Sequence, residues 1–507
     1  MKKVLFLALF GSLIWSCSSL PKTTAADEIV RFKIIQINDV YEIDAINAGK
    51  NGGLARVAHI KDSVKNVEPN TFYFLAGDFL NPSLLGTIKV DNERLQGKQM
   101  IEVLNASGLD LVTFGNHEFD LKEADLQKRL NESNFKWTSA NVLQITPEGN
   151  SPFQIKNQNT TGKVSDYEVF TVKNKTGNEI KFGVFGVTLP SNPVDYVFYG
   201  DVYDESVRAY DLASKEADFV LGLTHVSLEE DHEIARRIPT LPLIMGGHEH
   251  ENMLLKEGHT VIAKADANVL TLFVHTLAYN LSTKELAIDS ELVKVDDRVA
   301  SSPKVQKVVD KWNAILEENL KTVVDNPNEV ILTTTEALDG TDNGSRNRQT
   351  NLGEIITQSM NYAYGNWGDG VIFNGGGIRV DDVLEGDILS KDIFRVLPFG
   401  GSIYQVEMTG ELLEEVLNFG VKAAGTGAYL QRHQLTQSPE GKWLVKNEII
   451  DPKKVYHIVL NDYLMMGFDI PFLTPENKGV LKVSTPTAEE TAYDIRKAII
   501  HYIQNEM

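Results

Sequence analysis

"LDLVTFGNHEFD", residues 109–120, runs from an apolar segment rich in β-formers into Gly115 and then into Asn116, His117, Glu118 and Asp120. A short continuous apolar run suits a strand buried on both faces, and the loop after such a strand is where α/β proteins build sites. The pattern recurs in "RFKIIQIND" (31–39), "TFYFLAGD" (71–78), "KFGVFGVT" (181–188), "FVLGLTH" (219–225) and "LPLIMGGHEH" (241–250). Five of the six stretches deliver Asp, Asn or His where the apolar run stops, so polar groups are expected to gather at strand ends. Between them, "GGLARVAHIKDSVKNV" (52–67) carries Leu54, Val57 and Val64 at helical spacing, and "KQMIEVLNAS" (98–107) is similar. Strand, helix and strand in alternation predict an α/β fold whose sheets are covered by helices.

The chain has 507 residues, which suggests two or three domains. Hydrophobic residues make up 42% and charged residues 23%, a globular composition with enough apolar side chains for more than one core. In "SSPKVQKVVDKWNAILEENL" (301–320), Ser302 reads as a cap and Pro303 as a first-turn residue. Val305, Val308, Trp312, Ile315 and Leu316 form one apolar face, so this stretch predicts a connecting helix. "DNPNE" (325–329) then breaks the chain before a second α/β region. The expected division is a leader over 1–17, a tether over 18–28, a first domain over 29–300, a linker helix over 301–327 and a second domain over 328–507.

The formal net charge of -21 repels polyanions and leaves no basic stripe for a nucleic-acid backbone, so a nucleic-acid polymer is not an expected partner. A small anionic substrate can still bind where metals or a few arginines reverse the field locally. At the N-terminus, Lys2 and Lys3 precede "VLFLALFGSLIW" (4–15), a run too short to span a membrane, and then Ser16 and Cys17. Cys17 is the only cysteine and sits where a bacterial lipoprotein signal places its lipidated residue; a plain secretory signal is the alternative. The expectation is an extracytoplasmic protein anchored in a membrane through Cys17, in the periplasm or at the outer membrane or cell surface. Without another cysteine the mature chain cannot form internal disulfides, which leaves packing and bound metal to stabilise it.

The strand ends supply Asp39, Asp78, Asn116, His117, His225, His248 and His250. Oxygen and imidazole donors without thiolate suit Zn, Mn, Fe or Co. A carboxylate shared by two ions holds them about 3.5–4 Å apart and creates a bridging hydroxide at neutral pH that attacks phosphorus. Glycines in "GNHEFD" and "GGHEH" let the backbone turn sharply, and His248 and His250 share one side of an extended segment. Taken together in this order, the set resembles the 5′-nucleotidase family of calcineurin-like metallophosphoesterases, over nearly all of residues 29–475. The resemblance implies a four-layer α/β sandwich holding two metals, followed by a smaller α/β domain that binds the nucleoside part of a nucleotide or related phosphate ester. By the same resemblance Asp78 bridges the ions, Asp39 and His250 belong to the first, and Asn116, His225 and His248 belong to the second. His117 and Asp120 form the family's dyad: a cationic His117 can stabilise charge on the phosphoryl oxygens, and Asp120 can orient the ring and raise its pKa.

Further along, "VIFNGGGIRVD" (371–381) places three glycines after a strand, Gly376 among them, so that backbone amides are exposed beside Arg379. With "SRNRQTNLGEIITQSM" (345–360) and "RVLPFGGSIYQVEMTGELLEEVLNFG" (395–420), it resembles the family's C-terminal domain. That likeness gives Arg346 and Arg379 the substrate's phosphate or carboxyl-like oxygens, Asn374 a bond to the base and Phe399 a stacking role. In "LMMGFDIPF" (464–472), Phe468 or Phe472 would supply a second ring. The other departure from the family is at the first motif, where Asp-x-His is replaced by Asp39-Val40-Tyr41. Either Tyr41 coordinates as tyrosinate, best to Fe(III) as in the distantly similar purple acid phosphatases, or it stays neutral beside the site. The expected activity is release of phosphate from nucleoside 5′-monophosphates. The rivals are hydrolysis of 2′,3′-cyclic nucleotides or UDP-sugars at the same metals, a thiosulfohydrolase, and a non-catalytic nucleotide-binding lipoprotein.

Overall fold

A computed structural model describes residues 28–157, 161–191 and 193–507. The leader, most of the tether and Cys17 lie outside the described residues. No helix among the described residues is long and apolar enough to cross a membrane.

The first half is built on two six-stranded sheets. One has the order Leu286–Lys294, Thr271–Asn280, Ile29–Ile37, Thr71–Ala76, Leu111–Thr113, Lys136–Thr138. The other runs Tyr167–Lys173, Glu179–Thr188, Phe219–His225, Leu243–Gly246, Thr260–Lys264, Met253–Glu257. The strand Ile29–Ile37 shows why they stack. Val30, Phe32 and Ile34 point into the apolar layer shared with Phe182, Leu221 and Leu243 of the second sheet. Ile35 and Ile37 point the other way, into a core closed by the helices Leu54–Val67, Lys98–Ser107 and Glu123–Glu132. On the far side of the second sheet, the helices Val202–Ala213 and Leu228–Arg237 cover Phe185, Val187 and Ile244. Helix, sheet, sheet and helix therefore make four layers, and strands buried on both faces account for the unbroken apolar runs.

The expected connecting helix forms as Pro303–Leu320 with proline in its first turn, but Ser302 makes no side-chain capping bond. Val305, Val309 and Trp312 are buried against the first core, whereas Leu320 joins the second. The apolar face thus divides between two cores. Val308, Ile315 and Leu316 end up only partly buried.

The second half carries a five-stranded sheet ordered Leu430–His433, Gly370–Asn374, Val455–Asn461, Ile403–Thr409, Val480–Ser484. Helices Asn351–Tyr362 and Ile495–Glu506 pack in one core and Gly410–Lys422 in another, on opposite sides of the sheet. Gly370–Asn374 and Val455–Asn461 are parallel neighbours, so Asn374 and Asn461 emerge side by side at their C-terminal ends.

Candidate active site

In the first half, the parallel strands of both sheets end along one edge, where α/β folds place ligands. Asp39 and Asp78 follow the strands Ile29–Ile37 and Thr71–Ala76, Asn116 follows Leu111–Thr113, and His225 closes Phe219–His225. His248 and His250 follow Leu243–Gly246. Asp39, Asp78, His248 and His250 all have left-handed backbones, with φ of 52°, 55°, 90° and 62°. Non-glycine residues rarely hold this conformation unless the surroundings over-determine it, and such residues cluster at functional sites. The glycines admit the close approach. A Cβ on Gly115 would sit 2.1 Å from Asp78 Oδ1, and one on Gly247 would sit 2.4 Å from the Ala76 carbonyl.

Asp39, Asp78 and His225 bring their ligand atoms within 4.8 Å of one another, all buried. His225 Nδ1 lies 2.7 Å from the Ala76 carbonyl oxygen, to which it donates, so Nε2 faces inward, 3.1 Å from Asp78 Oδ2 and 3.9 Å from Asp39 Oδ1. Among the described residues, neither His225 Nε2 nor Asp39 Oδ1 makes a well-formed hydrogen bond. Donor atoms so arranged suit a cation between them. Without one, the imidazole supplies the positive charge: burial pulls His225 down, but Asp78 and Asp39 outweigh it and raise the ring to about 9. Burial pushes both carboxyls up, yet His225 and the neighbouring rings hold Asp39 and Asp78 below the ordinary carboxylate value. His248 is the counterexample, lowered to about 4 by burial and by the charge of His225. Its backbone N–H donates to Asp39 Oδ2 at 2.9 Å, and its ring centroid lies 5.6 Å from that of His225.

His250 Nε2 lies 3.3 Å from Asp39 Oδ1 and 3.0 Å from the Tyr41 hydroxyl. Tyr41 points into the site, and its hydroxyl donates to Asp78 Oδ2 at 3.2 Å. Burial and the nearby Asp78 charge push the phenol well above its usual value. His117 Nδ1 and Asp120 Oδ2 are 2.7 Å apart, and burial lowers the ring's pKa less than Asp78 and Asp120 raise it. Sequence reasoning missed Glu118. Its buried carboxylate accepts from the backbone N–H groups of Asp78, Phe79, Leu80 and Gly115 at 2.6–3.0 Å, clasping the two loops that carry Asp78 and Asn116. Its place inside "GNHEFD" was the available signal.

Beside this cluster lies a cleft of about 570 Å³ lined by residues of both halves, including Asp120, Arg346, Asn374, Gly376, Arg379, Phe399 and Tyr463. Arg379 reaches within 3.7 Å of Asp120. Arg346 pairs with Asp342 at 2.5 Å. The Nε–H groups of both arginines are buried without a hydrogen-bond partner among the described residues. Asn374 is held by Asp469 at 2.8 Å and Asn461 at 3.0 Å. Phe399 is 62% exposed at the mouth, as stacking requires. Phe472 does not line the cleft. It is partly buried and packs edge-on against Phe419, with ring centroids 5.6 Å apart, at the margin of the core on the Gly410–Lys422 side of the sheet. The cleft wall also carries buried Phe373 and exposed Tyr463, and exposed Phe468 lies against Tyr463 at 5.2 Å.

The calcineurin-like phosphoesterase family matches residues 32–252 and the 5′-nucleotidase C-terminal domain matches residues 330–474. The chain thus joins a calcineurin-like phosphoesterase domain to a 5′-nucleotidase C-terminal domain, and it is a metal-dependent phosphoric ester hydrolase. It is 24% identical to the 5′-nucleotidase of Bos taurus over 90% of this chain and 85% of that protein. It is 26% identical to a trifunctional nucleotide phosphoesterase of Bacillus subtilis over 70% of this chain and 26% of that longer protein. The crystal structure of a 5′-nucleotidase precursor from Thermus thermophilus superposes with a TM-score of 0.69 at 22% identity, covering 94% of this chain and 96% of that one, and so shares its fold.

Proposed function

We propose that this protein is an extracytoplasmic hydrolase releasing phosphate from nucleoside 5′-monophosphates, anchored through Cys17. The observation that carries the substrate reading is the pair of buried, unsatisfied guanidinium N–H groups of Arg346 and Arg379, in a cleft whose wall includes Asp120 of the dyad. Partnerless buried donors favour an anion, and the exposed rings of Phe399 and Tyr463 offer a face to a base. Two metal ions held by Asp39, Asp78, Asn116, His225, His248 and His250 would polarise the phosphoryl group and acidify water. His117, kept protonated by Asp78 and Asp120, stabilises the developing charge or protonates the leaving oxygen, while Arg379 holds the phosphate side and Asn374 orients the nucleoside. We read Tyr41 as a neutral phenol, since its hydroxyl lies 3.2 Å from Asp78 Oδ2 as a hydrogen-bond donor; Zn, Mn, Fe(II) or Co suit the remaining oxygen and imidazole donors. The net charge argues against a nucleic-acid polymer as partner.

A panel of AMP, UDP-sugar, 2′,3′-cyclic nucleotides and a chromogenic diester, given to the metal-loaded protein lacking its leader, tests this reading. AMP should be preferred. Preference for a diester would move the assignment to the cyclic or sugar substrates, and release that persists after exhaustive chelation would remove the metals from it.

A further inference from the structure

The two histidines that flank Asp39 are held differently. His225 Nδ1 donates to a backbone carbonyl of its own domain, Ala76 O, at 2.7 Å. His250 Nδ1 lies 2.5 Å from Asp381 Oδ2, and Asp381 belongs to the second half of the chain, two residues after Arg379. Both rings thereby turn Nε2 toward Asp39, but only one does so with a group from outside the metallophosphoesterase domain.

Asp381 is itself fixed. Its backbone is left-handed, with φ of 41°, and its Oδ1 accepts the Asp342 N–H at 2.6 Å. The Asp342 carboxylate in turn pairs with Arg346 at 2.5 Å. An unbroken series of contacts therefore links His250 through Asp381 and Asp342 to a cation on the cleft wall. Two further ion pairs cross between the halves beside it, Arg395 with Glu42 at 3.2 Å and Arg379 with Asp120 at 3.7 Å. His250 and Asp381 are mostly buried, with side-chain exposures of 16% and 21%, so the contact is largely shielded from solvent.

We infer that Asp381 is a positioning residue that completes the metal centre across the domain boundary: it orients His250, so retention of the ion on the His250 side depends on the docked C-terminal domain. A carboxylate that accepts the distal N–H of a ligating imidazole sets its tautomer and direction and strengthens it as a donor, and losing such a partner weakens metal binding about 10–100-fold. The dependence is reciprocal. If docking raises metal affinity, metal must favour docking by the same factor. The inference rests on the reading of His250 as a metal ligand.

The test is metal titration of wild type, Asp381→Ala and Asp381→Asn by competition with a chromophoric chelator, using Zn²⁺ and Mn²⁺. In wild type two ions should bind. In Asp381→Ala one ion should weaken about 10–100-fold while the other, on the His225 side, is unchanged; Asp381→Asn keeps an acceptor of the same shape and should fall between. Small-angle scattering of wild type with and without metal should show metal favouring the compact form, and Asp381→Ala should lose part of that response. Unchanged affinity for both ions in Asp381→Ala would overturn the inference and leave the metal centre standing. Failure of wild type to bind two ions, or equal loss of both in His250→Ala, would remove His250 as a site-specific ligand and the inference with it. Thermal unfolding in chelator separates a folding defect, since Asp381→Asn should melt with wild type.

Discussion

The metal pocket and the cleft beside it lie against each other, yet they are built by different rules. Every donor in the pocket stands at or just after the end of a strand in one of two parallel-containing sheets, and the backbone itself sets the spacing. The cleft is assembled from loops of both halves, and its aromatic wall is exposed rather than locked. Charges in the pocket are balanced by each other at 3–4 Å; in the cleft two guanidinium N–H groups remain unsatisfied among the described residues. The difference teaches where each part of the chemistry resides. The pocket holds a fixed charge arrangement, whereas the cleft leaves two cationic side chains only partly satisfied among the described residues.

The largest expected effect breaks the pocket. Asp78→Asn removes the carboxylate that faces His225, Tyr41 and the His117 backbone at once, and should lower kcat/KM about 10³-fold or more, with loss of bound metal by elemental analysis. Retention of both metal and activity would show that the cluster around Asp78 is only structural.

A paired measurement sharpens the boundary between the two regions. His117→Asn should cut kcat about 10²-fold with little change in KM, because the ring acts on charge that develops in the transition state. Arg379→Ala should instead raise KM about tenfold, because it removes binding common to ground and transition states. Arg379 lies 3.7 Å from Asp120, so a secondary fall in kcat is also expected. Identical kinetic defects in the two variants would erase the division between pocket and cleft.

The smallest effect concerns Tyr41. With its hydroxyl donating to Asp78 as a neutral phenol, Tyr41→Phe should leave metal content unchanged and activity within about fivefold, while lowering stability in chelator by about 1.5–3 kcal/mol. A visible charge-transfer band in the wild type that vanishes in Tyr41→Phe would instead establish tyrosinate coordination.

Much of the pocket was legible in the amino-acid order. Apolar runs ending in Asp39, Asp78, Asn116, His225 and His248 read as buried strands that release polar groups at one edge. The fold class followed from the same alternation. The helix Pro303–Leu320 was readable from its proline and apolar spacing, though not the division of its face between two cores, since a helical period says which residues share a face and nothing about what will cover it. Phe472 shows the same limit: an aromatic near a turn has the composition of a clamp, and only packing against Phe419 shows that it lies at the margin of a core.

What the sequence by itself determined is therefore the set of local elements and the donor atoms at their ends, because both follow from short-range periodicity and side-chain chemistry. Tertiary structure alone decided the contacts between residues distant in the chain. Glu118 becomes a clasp only when four amide groups from two loops converge on it, and His250 meets Asp381 only when two separate cores dock. The physical reason is that neither contact leaves a mark in neighbouring residues: each is fixed by the burial of apolar surface elsewhere, which brings the polar partners together.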